Sequence, residues 1–214
     1  MGVQEQPVNT TLYSLSDAVP SPVERRDGER HLTLFRVGTI IVEDRRELCL
    51  IKNVSAGGML IRAYSSLKPG MFVSIEMKQG ETIPAKVSWT RDECAGLEFE
   101  APVDVVDLLA SSMTGPKPRM PRIEICCGIS VRQDGSIFRM RARDVSQGGM
   151  KVESDGKLKL GADVVVSVAG LPPMPGIVRW REDESYGIAF NRLLALSDLV
   201  AWLQGQREQL RKAG

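Results

Sequence analysis

Short apolar runs rich in β-branched and aromatic residues, each ended by a charged or glycine-containing turn, follow one another through the first half of this chain. LTLFRVGTIIV at 32–42 meets the charged turn EDRRE and is followed by LCLIKN, the pattern of a hairpin. NVSAGG then interrupts, MLIRA resumes, LKPG turns, MFVSIEM runs, KQGE turns, and IPAKVSW and GLEF follow with apolar side chains alternating along much of their length. Six short strands in succession predict a small antiparallel barrel. After Phe99, the segment APVDVVDLLASSM places Val103, Val106 and Leu109, with Leu108 beside them, on a helical stripe that would close the barrel.

The pattern then repeats. NVSAGGM at Asn53–Met59 returns as DVSQGGM at Asp144–Met150, an offset of 91 residues that also pairs Gly70 with Gly161, Pro84 with Pro175, Trp89 with Trp180 and GLEF with GIAF. A register kept that long marks two copies of one domain. The fold class expected is mainly β: two tandem six-stranded antiparallel β-barrels, each followed by an α-helix. The boundaries expected are a mobile polar tail at 1–24, a first domain at 25–112, a linker at 113–121 around the proline-rich TGPKPRMP, and a second domain at 122–214. LPPMPG at 171–176 should widen one hairpin of the second copy. Its closing helix should be longer, with Leu193, Leu196, Leu199, Val200 and Leu203 on one core-packing face, Ser197 as an internal disturbance, and a homodimer contact as the lesser alternative use of the extra length.

Composition narrows the function classes. The chain has 214 residues and a formal net charge of +1, which argues against a nucleic-acid polymer as partner. Cys49, Cys94, Cys126 and Cys127 lie in apolar strand-like runs without metal-ligand or disulfide-framework spacing, and are expected to be reduced core residues. The first residues lack a basic, then apolar, leader pattern, and no window approaches a membrane span, so a soluble cytoplasmic protein without membrane insertion is expected.

The candidate chemistry gathers at NVSAGG. It offers a side-chain amide at Asn53, a hydroxyl at Ser55, and consecutive glycines, Gly57 and Gly58, that permit positive φ and close approach of a ligand to exposed N–H groups. Alone, such a string is more often a tight turn than a binding site. Upstream, VERRDGERH sets Arg26 and Arg30 four apart, 23 residues before Asn53 as counted from Arg30, with Arg25 directly preceding the pair. Alone, this is a solvated charge run in which Asp27 and Glu29 neutralise their neighbours.

Together, an R-x-x-x-R arm followed at this distance by N-x-S-x-x-G in an antiparallel barrel resembles the PilZ domain family, which binds the bacterial second messenger cyclic di-GMP. The resemblance implies that Arg26 and Arg30 hold one guanine and the phosphates, while Asn53, Ser55, Gly57 and Gly58 line the other side of the ligand. Guanidinium suits this task because it can donate two parallel hydrogen bonds to guanine O6 and N7, pair with phosphate, or stack on a base. Arg25 matches family members that take a stacked, two-molecule form of the ligand. The family also implies a mechanism, arm ordering with domain rearrangement read by a protein partner in motility, exopolysaccharide or pilus machinery.

In the second copy the likeness holds at Asp144, Ser146 and Gly149 and fails in the arm. With the one-residue shorter stretch allowed for, Arg26 and Arg30 project onto Pro118 and Arg122, so the pair is lost. The alternative for the whole chain is a ligand-independent adaptor of the same family, acting through protein contacts. A nonspecific RNA- or DNA-binding barrel is the weakest reading. Trp89 and Trp180 recur in both copies and are expected to pack the barrels. His31, the lone histidine, should be an exposed neighbour of the arm. No nucleophile can be given a base other than that histidine, so no enzyme, cofactor or metal is expected, and Glu43, Asp44, Asp183 and Glu184 read as turn charges.

Overall fold

Acidic residues in left-handed backbone make several hairpins of this protein. Glu43 and Asp44 (φ 47° and 65°), Asp92 and Glu93 (φ 49° and 61°), and Asp134 with Gly135 (φ 48° and 80°) form two-residue turns whose twist matches that of the strands they join. The computed structural model describes residues 30–78, 80–110, 120–154 and 158–213. The expected tail at 1–24, the arm residues Arg25 and Arg26, and most of the expected linker lie outside the described residues.

The first barrel runs β1 (Arg30–Val42), β2 (Arg45–Ser55), β3 (Gly58–Ala63), β4 (Phe72–Lys78), β5 (Glu81–Arg91) and β6 (Cys94–Phe99), and closes in the order β1-β2-β3-β6-β5-β4. The short α1 (Val105–Ala110) follows. The second barrel repeats this with β7 (Ile123–Gln133), β8 (Ser136–Ser146), β9 (Gly149–Glu153), β10 (Asp163–Ser167), β11 (Met174–Glu182) and β12 (Ser185–Phe190), again closed and antiparallel, before α2 (Leu196–Ala213). Six strands leave room for side chains alone inside each barrel. Ile40, Ile51, Val54, Ile61, Ile75 and Val87 fill the first; Val131, Val145, Met150, Tyr186 and Ile188 fill the second.

The helices correct the expected stripes. Asp104 caps α1 by accepting from the amides of Val106 (2.8 Å) and Asp107 (3.1 Å), which sets the helix phase so that Val105 turns inward and Val106 is 67% exposed. In α2 the buried set is Leu199, Val200, Leu203 and also Trp202, whose indole N–H donates to Ala169 O at 2.8 Å; Leu193 precedes the helix and is exposed. Ser197 does not disturb the helix, since its hydroxyl donates to Asp198 in the first turn.

The extra length of α2 reaches the first barrel. Arg207 donates to Glu47 Oε1 at 2.6 Å and to Arg46 O at 2.9 Å, and Gln204 donates to Tyr64 O. Leu48 of β2 is buried in the core of the second domain, with Val37 and Tyr64 packed against it. The two barrels therefore share apolar surface beneath a polar clasp.

The cysteines divide. Cys49 is buried, Cys94 and Cys127 are half-buried, and Cys126 is exposed, so the expectation of four core residues holds only for the first. Desolvation pushes the Cys49 thiol up to about 12, against a smaller lowering by a backbone hydrogen bond with Gly38. In the folded chain at pH 8, Cys126 should be alkylated by iodoacetamide while Cys49 stays unmodified. Mass mapping checks this, and labelling of Cys49 ahead of Cys126 would contradict the packing.

Candidate functional site

Of the sequence-predicted residues, Arg30, Asn53, Ser55, Gly57 and Gly58 lie together where β2 turns into β3, and Arg25 and Arg26 lie outside the described residues. Arg30 opens β1 and stands opposite Ser55, Thr33 stands opposite Asn53, and Ser55 pairs with Gly58 across the turn. Arg30 thus enters the barrel wall beside the motif. A register shift between Ile51 and Asn53 flips the strand's alternation, and the equivalent shift between Ala142 and Asp144 does so in β8. Ile51 and Val54 are fully buried, while Asn53 and Ser55 are half-buried, on the opposite side of the strand.

Ser55 has a structural task as well as a candidate one. Its hydroxyl donates to Gly58 O at 3.2 Å, and Ser146 does the same to Gly149 O at 3.3 Å. With its hydrogen spent in closing the turn, Ser55 offers a ligand an acceptor oxygen. Neither Gly57 nor Gly58 uses the positive φ that glycine permits. Gly58 is required by close approach: a Cβ there would collide with the carbonyl oxygen of Leu97 on β6, as one on Gly149 would with Ile188 O. Gly57 has open space around its Cβ direction.

The register extends the site across the wall. Asn53 pairs with Leu60, Leu60 with Gly96, and Gly96 with Trp89. Trp89 is not a core residue: it is 46% exposed, with its indole laid on Gly96, and Trp180 is 38% exposed over Gly187. A register shift after Val87 turns Trp89 outward, and another after Val178 turns Trp180 outward. Sequence reasoning missed this platform because strict alternation through Ala85 and Val87 would point position 89 inward. The first motif face therefore combines an amide, a hydroxyl oxygen, an apolar Leu60 and an aromatic surface, and the motif itself carries no carboxylate.

The matching row in the second barrel is Asp144, Lys151, Gly187 and Trp180. Arg122 is ion-paired with Asp144 there. This face opens on a cleft of about 840 Å³ between the barrels, whose opposite wall includes Thr39, Arg46 and Glu76 of the first domain. Arg46 is ion-paired with the buried Glu76, which also accepts from the Gly80 amide at 2.7 Å. Sequence reasoning did not single out Glu76, Lys151 or the clasp residues Gln204 and Arg207. Glu76 and Lys151 act across strands of their own barrels, and Gln204 and Arg207 depend on how the barrels meet; neither leaves a periodic signal.

Among the described residues, no group of three His, Cys, Asp or Glu is placed to hold a metal, and no helix is long and apolar enough to cross a membrane. No curated protein matches the chain. Similar solved structures include the PlzA protein of Borreliella burgdorferi in complex with c-di-GMP (14% identity, 78% of this chain and 86% of that one, TM-score 0.38). They also include the Bacillus subtilis inhibitor of motility MotI/DgrA (14%, 85% and 99%, 0.33) and YcgR of Escherichia coli in complex with c-di-GMP (15%, 84% and 89%, 0.31). The model of the PilZ domain matches twice, over residues 24–112 and 117–205, one match for each barrel. With most of its length accounted for by that doubled match, the chain belongs to the PilZ domain family.

Proposed function

We propose that the first barrel is a receptor for cyclic di-GMP and that the chain is a cytoplasmic, non-enzymatic effector. Arg26 and Arg30 would hold a guanine and the phosphates, Asn53, Ser55, Gly57 and Gly58 would line the opposite side, and Arg25 would admit a second, stacked ligand molecule. The observation that carries this reading is the register that sets Arg30 opposite Ser55, so that the arm begins at the motif. A dianionic ligand gains most from arginines that face neutral hydrogen-bonding groups, and Asn53 supplies such a group where the second barrel has Asp144. Ordering of the arm over the wall would change the surface beside the second barrel, and a protein of motility, exopolysaccharide or pilus machinery would read that change.

Isothermal titration of the full chain with cyclic di-GMP tests the reading, with GTP as control. Saturable binding is expected, and Arg26→Ala or Arg30→Ala should weaken it by about 10- to 100-fold, the worth of a charge-assisted contact. The melting temperature of the free protein should not move. Stoichiometry above one ligand per chain would support the role given to Arg25. Absence of saturable heat would leave the ligand-independent adaptor as the function, and saturable binding undiminished in both variants would remove Arg26 and Arg30 from the ligand site.

A further inference from the structure

The second barrel's motif face carries a feature that the first does not share. Between Arg30 and Thr33 the pairing of β1 with β2 shifts register, so one extra residue is accommodated before Asn53 is reached. In β7 the pairs Ile123 with Val145 and Glu124 with Asp144 run in step. Continuing that register by one residue brings Arg122 to Ser146, the place that Arg30 holds beside Ser55. Arg122 is thus the surviving arginine of the lost pair.

It is already engaged. Its guanidinium is paired with Asp144, the carboxylate standing where the first barrel has Asn53. Lys151 faces Asp144 from the neighbouring strand, where the first barrel has Leu60. The negative charge is therefore bracketed by two cations. The residues before Arg122 lie on the same face: a Cβ added to Gly148 would meet Met120 Sδ at 3.1 Å and Leu193 Cδ2 at 3.4 Å, so these two side chains cover the glycine turn. Met120 and Leu193 are both exposed on their outer sides, and both line the cleft between the barrels.

We propose that the motif face of the second barrel is a docking surface for the chain's own segment Met120–Arg122, with the Arg122–Asp144 pair as an intramolecular latch. An arginine and a thioether from the same chain occupy this surface. The latch anchors the last residues before β7 to the barrel wall and so forms part of the cleft that faces the first domain. It stands on ligand-free contacts; only its corollary, that the chain has one ligand-binding barrel rather than two, rests on the function proposed above.

Arginine modification by phenylglyoxal, mapped by peptide mass spectrometry on the full chain without nucleotide, reads the latch directly. In the wild type, Arg122 should react more slowly than the exposed Arg91. In Asp144→Asn its rate should rise about three- to five-fold, the range set by an ion pair of this exposure, while Asp144→Glu should retain much of the protection. Raising the salt to about 1 M should accelerate Arg122 in the wild type and have little effect in Asp144→Asn. Hydrogen exchange at 120–124 and at Gly148 should quicken in Asp144→Asn, with circular dichroism confirming a folded barrel. Arg122 reacting as fast as Arg91 in the wild type, or unmoved by Asp144→Asn, would overturn the latch. Because no cyclic di-GMP is present, either outcome is independent of whether the first barrel binds it.

Discussion

Gly58→Ala should destabilise the first barrel by about 1–3 kcal/mol, the cost of forcing a methyl group into a packed site that cannot relax. The atom in the way is the carbonyl oxygen of Leu97, held in the β3–β6 ladder between Met59 and Val87, so no rotamer change relieves the clash. Each kcal/mol lowers the melting temperature of a domain this size by roughly 4–8 °C. Gly57→Ala is the control. Its Cβ meets nothing within 4 Å and its φ is not positive, so its stability should stay within about 0.5 kcal/mol of wild type. Calorimetry on the two variants separates the roles that consecutive glycines disguise: one is fixed by packing, the other is free to serve a ligand. Equal melting of Gly58→Ala and wild type would show that the ladder can open there.

Arg207→Ala should loosen the two barrels from each other. Glu47 is only 8% exposed, and the substitution leaves its carboxylate without the guanidinium and Arg46 O without a donor. Since Arg207 itself is about one-third exposed, the expected loss is about 1–2 kcal/mol rather than that of a fully buried pair. The informative readout is cooperativity. Leu48, Val37 and Tyr64 tie the first barrel to the core of the second, so the wild type should unfold with overlapping transitions that separate in the variant. A double-mutant cycle with Glu47→Gln should give a coupling energy on the order of 1 kcal/mol. A coupling of zero, with transitions unchanged, would mean that the apolar contact alone joins the domains.

The repeat and the strands were legible because an offset of 91 residues and two-residue periodicity are properties of the chain itself. What failed did so at places where a local device resets the phase. Val103 and Leu108 of the expected stripe do pack against the core, but Val106 is exposed, because Asp104 is the cap and counting from it puts Val105 inside. Trp89 follows Ala85 and Val87 at strand spacing, and a register shift after Val87 turns it out. Cys126 and Cys127 are adjacent in one strand, whose side chains alternate between faces, and the former is exposed. In the candidate site, the family resemblance implied that Arg30 meets the motif, whereas the hydroxyl bond of Ser55 to Gly58 and the covering of Gly148 by Met120 and Leu193 arise only from three-dimensional closure.

The register shift near the start of β1 also constrains how one barrel could be converted into the other. The second barrel reaches its motif with one residue fewer, so an arginine introduced at position 118 would restore the letters of the pair without restoring the backbone that presents them. Point substitution can release Arg122 from Asp144, but only a transplanted segment that brings the extra residue with it can rebuild the arm. A one-residue difference between duplicated halves thus acts as a ratchet: substituting side chains alone does not give one barrel the backbone of the other.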